Sequence, residues 1–328
     1  MRKEDLRIIF MGTPEFAVPT LEAILKAGYQ VVAVVTQPDR PVGRHGSVLQ
    51  PSAVKQCALA HGLPVLQPEK MKDEQFISQL RSYHANLQVV VAFRMLPEVV
   101  WDMPQYGTFN VHAALLPQYR GAAPINWAII NGEQTTGVTT FLLDHEIDTG
   151  RIIMQMPFAI PADANVEYVY DGLMNLGADI CLKTLERMVE TDGHPESIAQ
   201  GDLLADAGEL HAAPKLFKET CEINWNQPAI AVHNFIRGLS PVPGAWTTYV
   251  AADGKETVLK IYKASVAADM LPGVEPGRLL LTKDRRLLIA AADGTCVQIE
   301  ELQLAGKKRM AANDFANGQK IDENCRVK

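Results

Sequence analysis

Short β-branched or apolar runs at residues 7–11, 30–36, 88–92 and 108–112 alternate with stretches of helical apolar spacing at 20–27, 52–61 and 73–82. Parallel neighbours in a sheet need a crossover of about a dozen residues or more, and a helix is its usual form. The alternation therefore predicts an α/β domain with a parallel sheet covered by helices. Gly28 and Gly62 stand just past the first two helices, where a left-handed residue ends a helix without a Cβ penalty. Such sheets gather their functional groups at the carboxyl ends of strands, and both Gly12 and the Asn110-Val111-His112 segment fall at such ends.

A long helix over residues 165–190, with an apolar stripe at Val169, Leu173, Leu176, Ile180 and Met188, closes this first domain, 1–190. Residues 191–215 mix Gly, Ala, Asp, His and Pro without periodicity and read as a linker. From 216 to 328 the pattern changes to short strands at 246–250, 257–264, 277–281, 287–291 and 296–304, with hairpin signals at Asp253-Gly254 and Asp293-Gly294. Five such strands predict a small antiparallel β-barrel of OB-like form. A chain of 328 residues is also longer than one core usually organises, which fits two domains.

The net charge of −7 conceals an asymmetry. Residues 1–209 carry 15 Lys and Arg against 25 Asp and Glu, whereas residues 210–328 carry 16 against 13. The basic residues Lys283, Arg285, Arg286 and Lys307, Lys308, Arg309 cluster in the second part, as on a polyanion-binding module; a pair of solvated turns has the same composition. The five cysteines are scattered, with no Cys-x-x-Cys pair, and read as buried or idle thiols of a reducing compartment. No apolar run approaches the roughly 20 residues of a membrane span. The charged start leads straight into the first strand with no signal-like cleavage site, so the expected location is the cytoplasm.

The chemistry concentrates in two passages. Asn110 and His112, two apart on a strand, point to one face and can reach one ligand atom. The apolar loop that follows reads as a wall for a flat ligand. Taken singly, His112 is equally well a hydrogen-bonded core histidine. Downstream, Asp144, Glu146 and Asp148 put three acids in five residues, which implies repulsion unless a base or a cation offsets it. A divalent metal is the rival reading; His145 lies on the same turn, and no second cluster at ligand spacing supports it. An Asp that orients His112 is the better use. Gly12-Thr13-Pro14 lacks the Gly-x-Gly-x-x-Gly spacing of a dinucleotide site and reads as a tight turn, while Trp127 and Trp225 read as core.

Six stretches together resemble one family along essentially the whole chain. They are Phe10-Met11-Gly12-Thr13-Pro14-Glu15-Phe16-Ala17, Thr36-Gln37-Pro38-Asp39-Arg40-Pro41, residues 110–124, Asp148-Thr149-Gly150, Ile236-Arg237-Gly238-Leu239-Ser240-Pro241 and Leu304-Ala305-Gly306-Lys307-Lys308-Arg309-Met310. The family is that of the formyltetrahydrofolate-dependent formyltransferases, and the first two and last two stretches resemble its methionyl-tRNA-using branch. The resemblance implies a Rossmann-like catalytic domain over 1–190 and an OB-like tRNA-binding domain over 216–328. It implies Asn110, His112 and Asp148 as the catalytic trio, Ala114, Leu115, Leu116 and Pro117 as folate-lining residues, and Arg40, Arg44, Lys307, Lys308 and Arg309 as tRNA contacts. It further implies 10-formyltetrahydrofolate as co-substrate, no metal, methionyl initiator tRNA as partner, no membrane, and a monomer. Three departures stand out: Ala114 where the family usually has Ser, Glu146 where it often has Gly, and His45-Gly46-Ser47 where many relatives carry lysines in the 40–48 loop. Two alternatives remain at this level, a formyltransferase acting on an amino sugar or other small amine and a non-catalytic RNA-binding module.

Overall fold

A computed structural model describes residues 1–42, 48–205, 207–319 and 321–328. It divides into two compact units, Met1–Gly121 with Thr136–Phe158 and Tyr170–Ala212, and Ala122–Thr135 with Ala159–Val169 and Ala213–Lys328. The first is built on seven strands: β1 (Arg7–Gly12), β2 (Gln30–Val35), β3 (Val65–Leu66), β4 (Leu87–Val91), β5 (Thr108–His112), β6 (Thr135–Leu142) and β7 (Ile152–Ala159). Their spatial order is β7-β6-β5-β4-β1-β2-β3. The expected parallel pairing holds for β1 through β5, and β6 adds to β5 antiparallel, with Asn110 opposite Phe141 and His112 opposite Thr139. Every residue of β4 is buried, as in a strand covered on both faces.

The helices include α1 (Val18–Lys26), α2 (Ala53–Ala60) and α3 (Glu74–Ser82), then α4 (Glu98–Trp101), α5 (Pro124–Ile130) and α6 (Val166–Glu190). Ser52 and Asp73, read as first residues of α2 and α3, are their N-caps: each side chain accepts the backbone N–H three residues on, at 3.0 Å. Gly12 ends β1 where a Cβ would lie 2.8 Å from that of Ala17 and 3.0 Å from the Val91 carbonyl oxygen, so only glycine lets β1 and β4 meet there.

Residues 198–211 carry structure of their own. Ile198 and Ile152 exchange two backbone hydrogen bonds at 2.8 Å, a short helical turn covers Gln200–Leu203, and the Tyr119 N–H donates to the His211 carbonyl at 2.7 Å. Backbone bonds of this kind leave no periodic mark in the sequence.

The second unit holds β8 (Ala245–Val250), β9 (Glu256–Val266), β10 (Leu279–Leu281), β11 (Leu287–Ala290), β12 (Cys296–Leu304), β13 (Met310–Ala311) and β14 (Arg326–Val327). The order β10-β11-β12-β9-β8-β14 is antiparallel at every neighbouring pair, and an Arg278–Arg326 bridge joins its two ends into a nearly closed barrel. Two helices the strand pattern concealed, α7 (Ala229–Leu239) and α8 (Ala312–Gly318), plug this barrel through Val232, Ile236, Leu239 and Phe315. Trp225 lies in the same core, its indole N–H donating to Thr247 Oγ1 at 3.0 Å. The five cysteines are buried and unbridged, and among the described residues no helix is long and apolar enough to cross a membrane.

Candidate active site

Asn110 and His112 project from β5 on one side, and the turn between β6 and β7 brings Asp148 to His112. His112 is buried, and its Nε2 lies 2.9 Å from the Tyr119 carbonyl oxygen. A carbonyl only accepts, so Nε2 carries the hydrogen and Nδ1 is the ring nitrogen left for chemistry. Nδ1 faces Asp148 Oδ2 at 3.9 Å, beyond direct hydrogen-bond reach. The same Oδ2 accepts the Gly121 N–H at 2.9 Å. Asn110 is half-buried and makes no side-chain hydrogen bond among the described residues, so its amide is open to a ligand.

Asp148 sits at φ +56, a left-handed conformation that Asp tolerates better than most residues. Gln200 holds it there. Its Nε2 donates to the Asp148 carbonyl at 2.9 Å and to the Gly150 carbonyl at 2.8 Å, while its Oε1 accepts Arg120 Nη2 at 2.6 Å and Nε at 3.0 Å. This buried amide thus ties the acidic turn to the Arg120 strand. No sequence signal marked it, because its partners lie about fifty and eighty residues away. Gly150 fixes the far side of the turn, where a Cβ would fall 1.7 Å from the Leu142 carbonyl oxygen.

Neutral donors offset the crowding of three acids at the turn. Asp144 Oδ1 accepts the Thr149 hydroxyl at 2.7 Å and the Glu146 N–H at 3.2 Å, Glu146 is exposed, and Asp148 has the Gly121 N–H. His145 turns aside, edge-on to the Trp101 ring.

The loop after β5 is less of a wall than its composition suggests. Ala114, Leu116 and Pro117 are buried, and only Leu115 is partly exposed. Thr139 anchors the loop by donating to the Ala114 carbonyl at 2.6 Å and accepting the Leu116 N–H at 3.1 Å, and Gln155 donates to the Leu116 carbonyl at 2.8 Å. Phe141 and Ile152 pack on Leu116. The apolar residues are covered by the protein itself.

A second candidate for ligand contact lies where the strand order reverses, between β1 and β4, the place where open α/β sheets bind ligands. There Ala92 takes φ +47 directly after β4, and the Arg94 guanidinium donates to the Pro68 and Glu69 carbonyls. A groove of about 600 Å³ opens beside this segment, its wall of Met71, Ile77, Met95, Leu96 and Val99 interrupted by the charged Lys72 and Glu98. Sequence reading passed over these residues because nothing in their types distinguishes a lining from a core.

The expected RNA contacts fall into different states. Arg40 lies on a short ribbon, Arg40–Val42 paired with Val48–Gln50, and its Nη2 donates to Gln37 Oε1 at 2.9 Å. Arg44 lies outside the described residues. In the second unit Lys307 and Lys308 are exposed and make no ion pair among the described residues. Arg309 is paired with Glu301 and stands 4.3 Å from the centre of the Tyr262 ring. Arg286 is clamped between Asp269 and Asp284, which raises its pKa further; it holds the Asp269 carboxyl below its ordinary range, and Thr282 and then Arg286 do the same for Asp284.

Residues 6–185 match the family model described as formyl transferase, and residues 215–320 match that of the formyl transferase C-terminal domain. The chain is 56% identical to a methionyl-tRNA formyltransferase of Parabacteroides distasonis over 98% of both sequences. It is 52% identical to one of Bacteroides fragilis, covering 100% of this chain and 99% of the relative. Among solved structures, the sugar 3N-formyl transferase WlaRD, in the presence of dTDP and 5-N-formyl-THF, shares the fold at a TM-score of 0.62 and 19% identity, over 92% of this chain and 99% of that one.

Proposed function

The chain belongs to the formyl transferase family, and on that premise we propose that it moves the formyl group of 10-formyltetrahydrofolate onto the α-amino group of methionine esterified to initiator tRNA. The observation that carries this reading is the 56% identity, end to end, with a relative named for that reaction. The small-amine alternative has the sugar formyltransferase likeness behind it, but at 19% identity that likeness extends to the fold alone.

The side chains around His112 suit the reaction. As the amine attacks the formyl carbon, negative charge grows on oxygen and positive charge on nitrogen. The unpartnered Asn110 amide can donate to that oxygen, a contribution on the order of 10²-fold when preorganised. Asp148, whose Oδ2 accepts the Gly121 N–H, answers the charge on nitrogen and takes its proton directly or through one water. His112 is fixed by the Tyr119 carbonyl, which aims Nδ1 at the space before Asp148, where it relays the proton or supports the oxygen. The folate co-substrate is assigned to the crevice between β1 and β4 and the groove after β4, together with the loop Ala114, Leu115, Leu116 and Pro117.

Catalysis is assigned to residues 1–190, with Gln200 of the connection 191–215 supporting the Asp148 turn, and tRNA binding to 216–328, with Arg40, Arg44, Lys307 and Lys308 as phosphate contacts and Arg309 in a supporting place. The protein is taken to act as a monomer in the cytoplasm. The test mixes purified protein, 10-formyltetrahydrofolate and methionyl initiator tRNA, with uncharged tRNA and an amino sugar as controls. Formyl incorporation that requires the esterified methionine amine is the expected result; preference for the amino sugar, or tRNA binding without incorporation, overturns the reading.

A further inference from the structure

Glu22 on α1 and Cys57 and His61 at the end of α2 meet away from the Asp148 turn. Cys57 and His61 are four residues apart, so their side chains share one face of α2, and Glu22 reaches them from the neighbouring helix. Cys57 Sγ donates to Glu22 Oε1 at 3.1 Å, and His61 Nε2 lies 3.0 Å from both carboxylate oxygens. One ligand atom from each residue lies within 4.8 Å of the others. The thiol forms the buried floor, while the His61 and Glu22 side chains are 39% and 48% exposed, which leaves an entry path and a free coordination position toward solvent.

We propose that Glu22, Cys57 and His61 bind a divalent cation of the zinc class, which cross-links α1 to α2. Bonds of about 2.0–2.3 Å from nitrogen, oxygen and sulfur to a tetrahedral ion place neighbouring ligand atoms roughly 3.3–3.7 Å apart. Glu22 Oε1 lies 3.1 Å from Cys57 Sγ and 3.0 Å from His61 Nε2, and all the ligand atoms lie within 4.8 Å of one another, so side-chain shifts on the order of 1 Å, two of them at solvent-exposed residues, bring the set to that geometry. The donor set of thiolate, imidazole and one carboxylate selects zinc or cobalt over magnesium or calcium, which want oxygen. Here the groups are held by hydrogens: burial, and then the Glu22 carboxylate, push the Cys57 thiol up to about 12. Binding replaces those hydrogens. The Cys57 proton leaves to solvent, and His61 keeps one hydrogen, moved to Nδ1 so that Nε2 can ligate.

The consequence falls on α2. Its N-cap Ser52 is 2.8 Å from Thr36 Oγ1 at the end of β2, and the helix follows the ribbon that carries Arg40. An ion at its other end fixes α2 at both termini.

The test titrates Zn2+ into the full-length protein against a chromophoric chelator and repeats the titration with Co2+, reading the thiolate-to-cobalt charge-transfer band. One equivalent bound, that band, and a rise in Tm with zinc are expected. Cys57→Ser and His61→Ala should each weaken binding about 100-fold or more and abolish the zinc-dependent rise in Tm. Absence of competition by the wild-type protein, a cobalt spectrum without the thiolate band, or equal affinity in Cys57→Ser overturns the proposal. Should Cys57→Ser fail to fold, His61→Gln, at an exposed position, decides the same question.

Discussion

The acidic turn 144–150 and the basic turn 307–309 both carry three like charges in a short connection between strands, yet the protein treats them in opposite ways. At the acidic turn the carboxylates are answered by neutral donors: a backbone N–H for Asp148, a hydroxyl and a backbone N–H for Asp144. At the basic turn Arg309 is answered by the opposite charge of Glu301 and the face of Tyr262, while Lys307 and Lys308 meet water. Neutral donors hold a charge in place without cancelling it, which on the proposed reading keeps Asp148 available to a reacting amine. An ion pair cancels it, which removes Arg309 from the field a polyanion would meet. Counting charges in the sequence ranks the two turns alike; their partners rank them differently.

The largest effect should come from the uncancelled charge itself. Asp148→Asn keeps an acceptor for the Gly121 N–H and tolerates φ +56, so the variant should fold and melt near wild type while kcat falls on the order of 10²–10⁴-fold. His112→Ala should fall in the same range. Near-wild-type rates in both would break the comparison, since the preserved charge would then serve no chemistry.

Next comes the amide that shapes the turn. Gln200→Glu retains an acceptor for Arg120 but loses both donors to the Asp148 and Gly150 carbonyls, whereas Gln200→Ala loses everything. Displacement of Asp148 by an ångström should lower kcat on the order of 10–100-fold in either variant and leave the KM for charged tRNA unchanged. A Gln200→Glu enzyme with wild-type kcat would assign the role of Gln200 to Arg120 and not to the Asp148 turn.

The basic turn supplies the third test. Lys307→Ala and Lys308→Ala should each weaken tRNA binding and reduce the slope of log affinity against log salt by about one. Arg309→Ala, already paired, should change that slope less than either lysine does. Equal slopes for all three would show that the Glu301 pair opens on RNA binding and that the contrast between the two turns holds only for the free protein.

How much of this was legible in the sequence follows from the range of each interaction. The strands at 108–112 and 296–304 and the helix starts at Ser52 and Asp73 were readable because they rest on patterns a few residues long. The Asp148-Thr149-Gly150 motif was readable too, and Gly150 explains why no side chain fits there. Gln200 was not, since it sits in an aperiodic stretch and acts on residues fifty and eighty positions away. The Arg309 pair depends on the register of β12 against β13, and the covering of Leu116 depends on Phe141 and Ile152 arriving from other strands. α7 escaped because its apolar stripe lies among strands and its partners come from the barrel it fills.

The smallest expected effect concerns a third way of handling charge, found inside the second unit. His233 on α7 is buried; its Nδ1–H donates to the Ala264 carbonyl at 3.0 Å, and burial, reinforced by Arg237, lowers its pKa below the ordinary 6.5. The Ala264 and Ala162 backbone and then Asp163, 4.0 Å from Nε2 but almost fully exposed, pull the other way and lose to burial. A group whose folded pKa is depressed binds a proton more readily when unfolded, so its contribution is complete above about pH 6.5 and is lost as pH falls toward the folded value. Urea unfolding of the wild type and His233→Gln at about pH 7 and again at about pH 5.5 should therefore give a stability difference that shrinks on acidification. The packing lost in the variant is the same at both pH values, so only the titration moves the difference. A gap that stays constant or widens would mean that His233 is protonated in the folded barrel, and that this unit, like the basic turn, handles its buried charge by pairing it, here with Asp163.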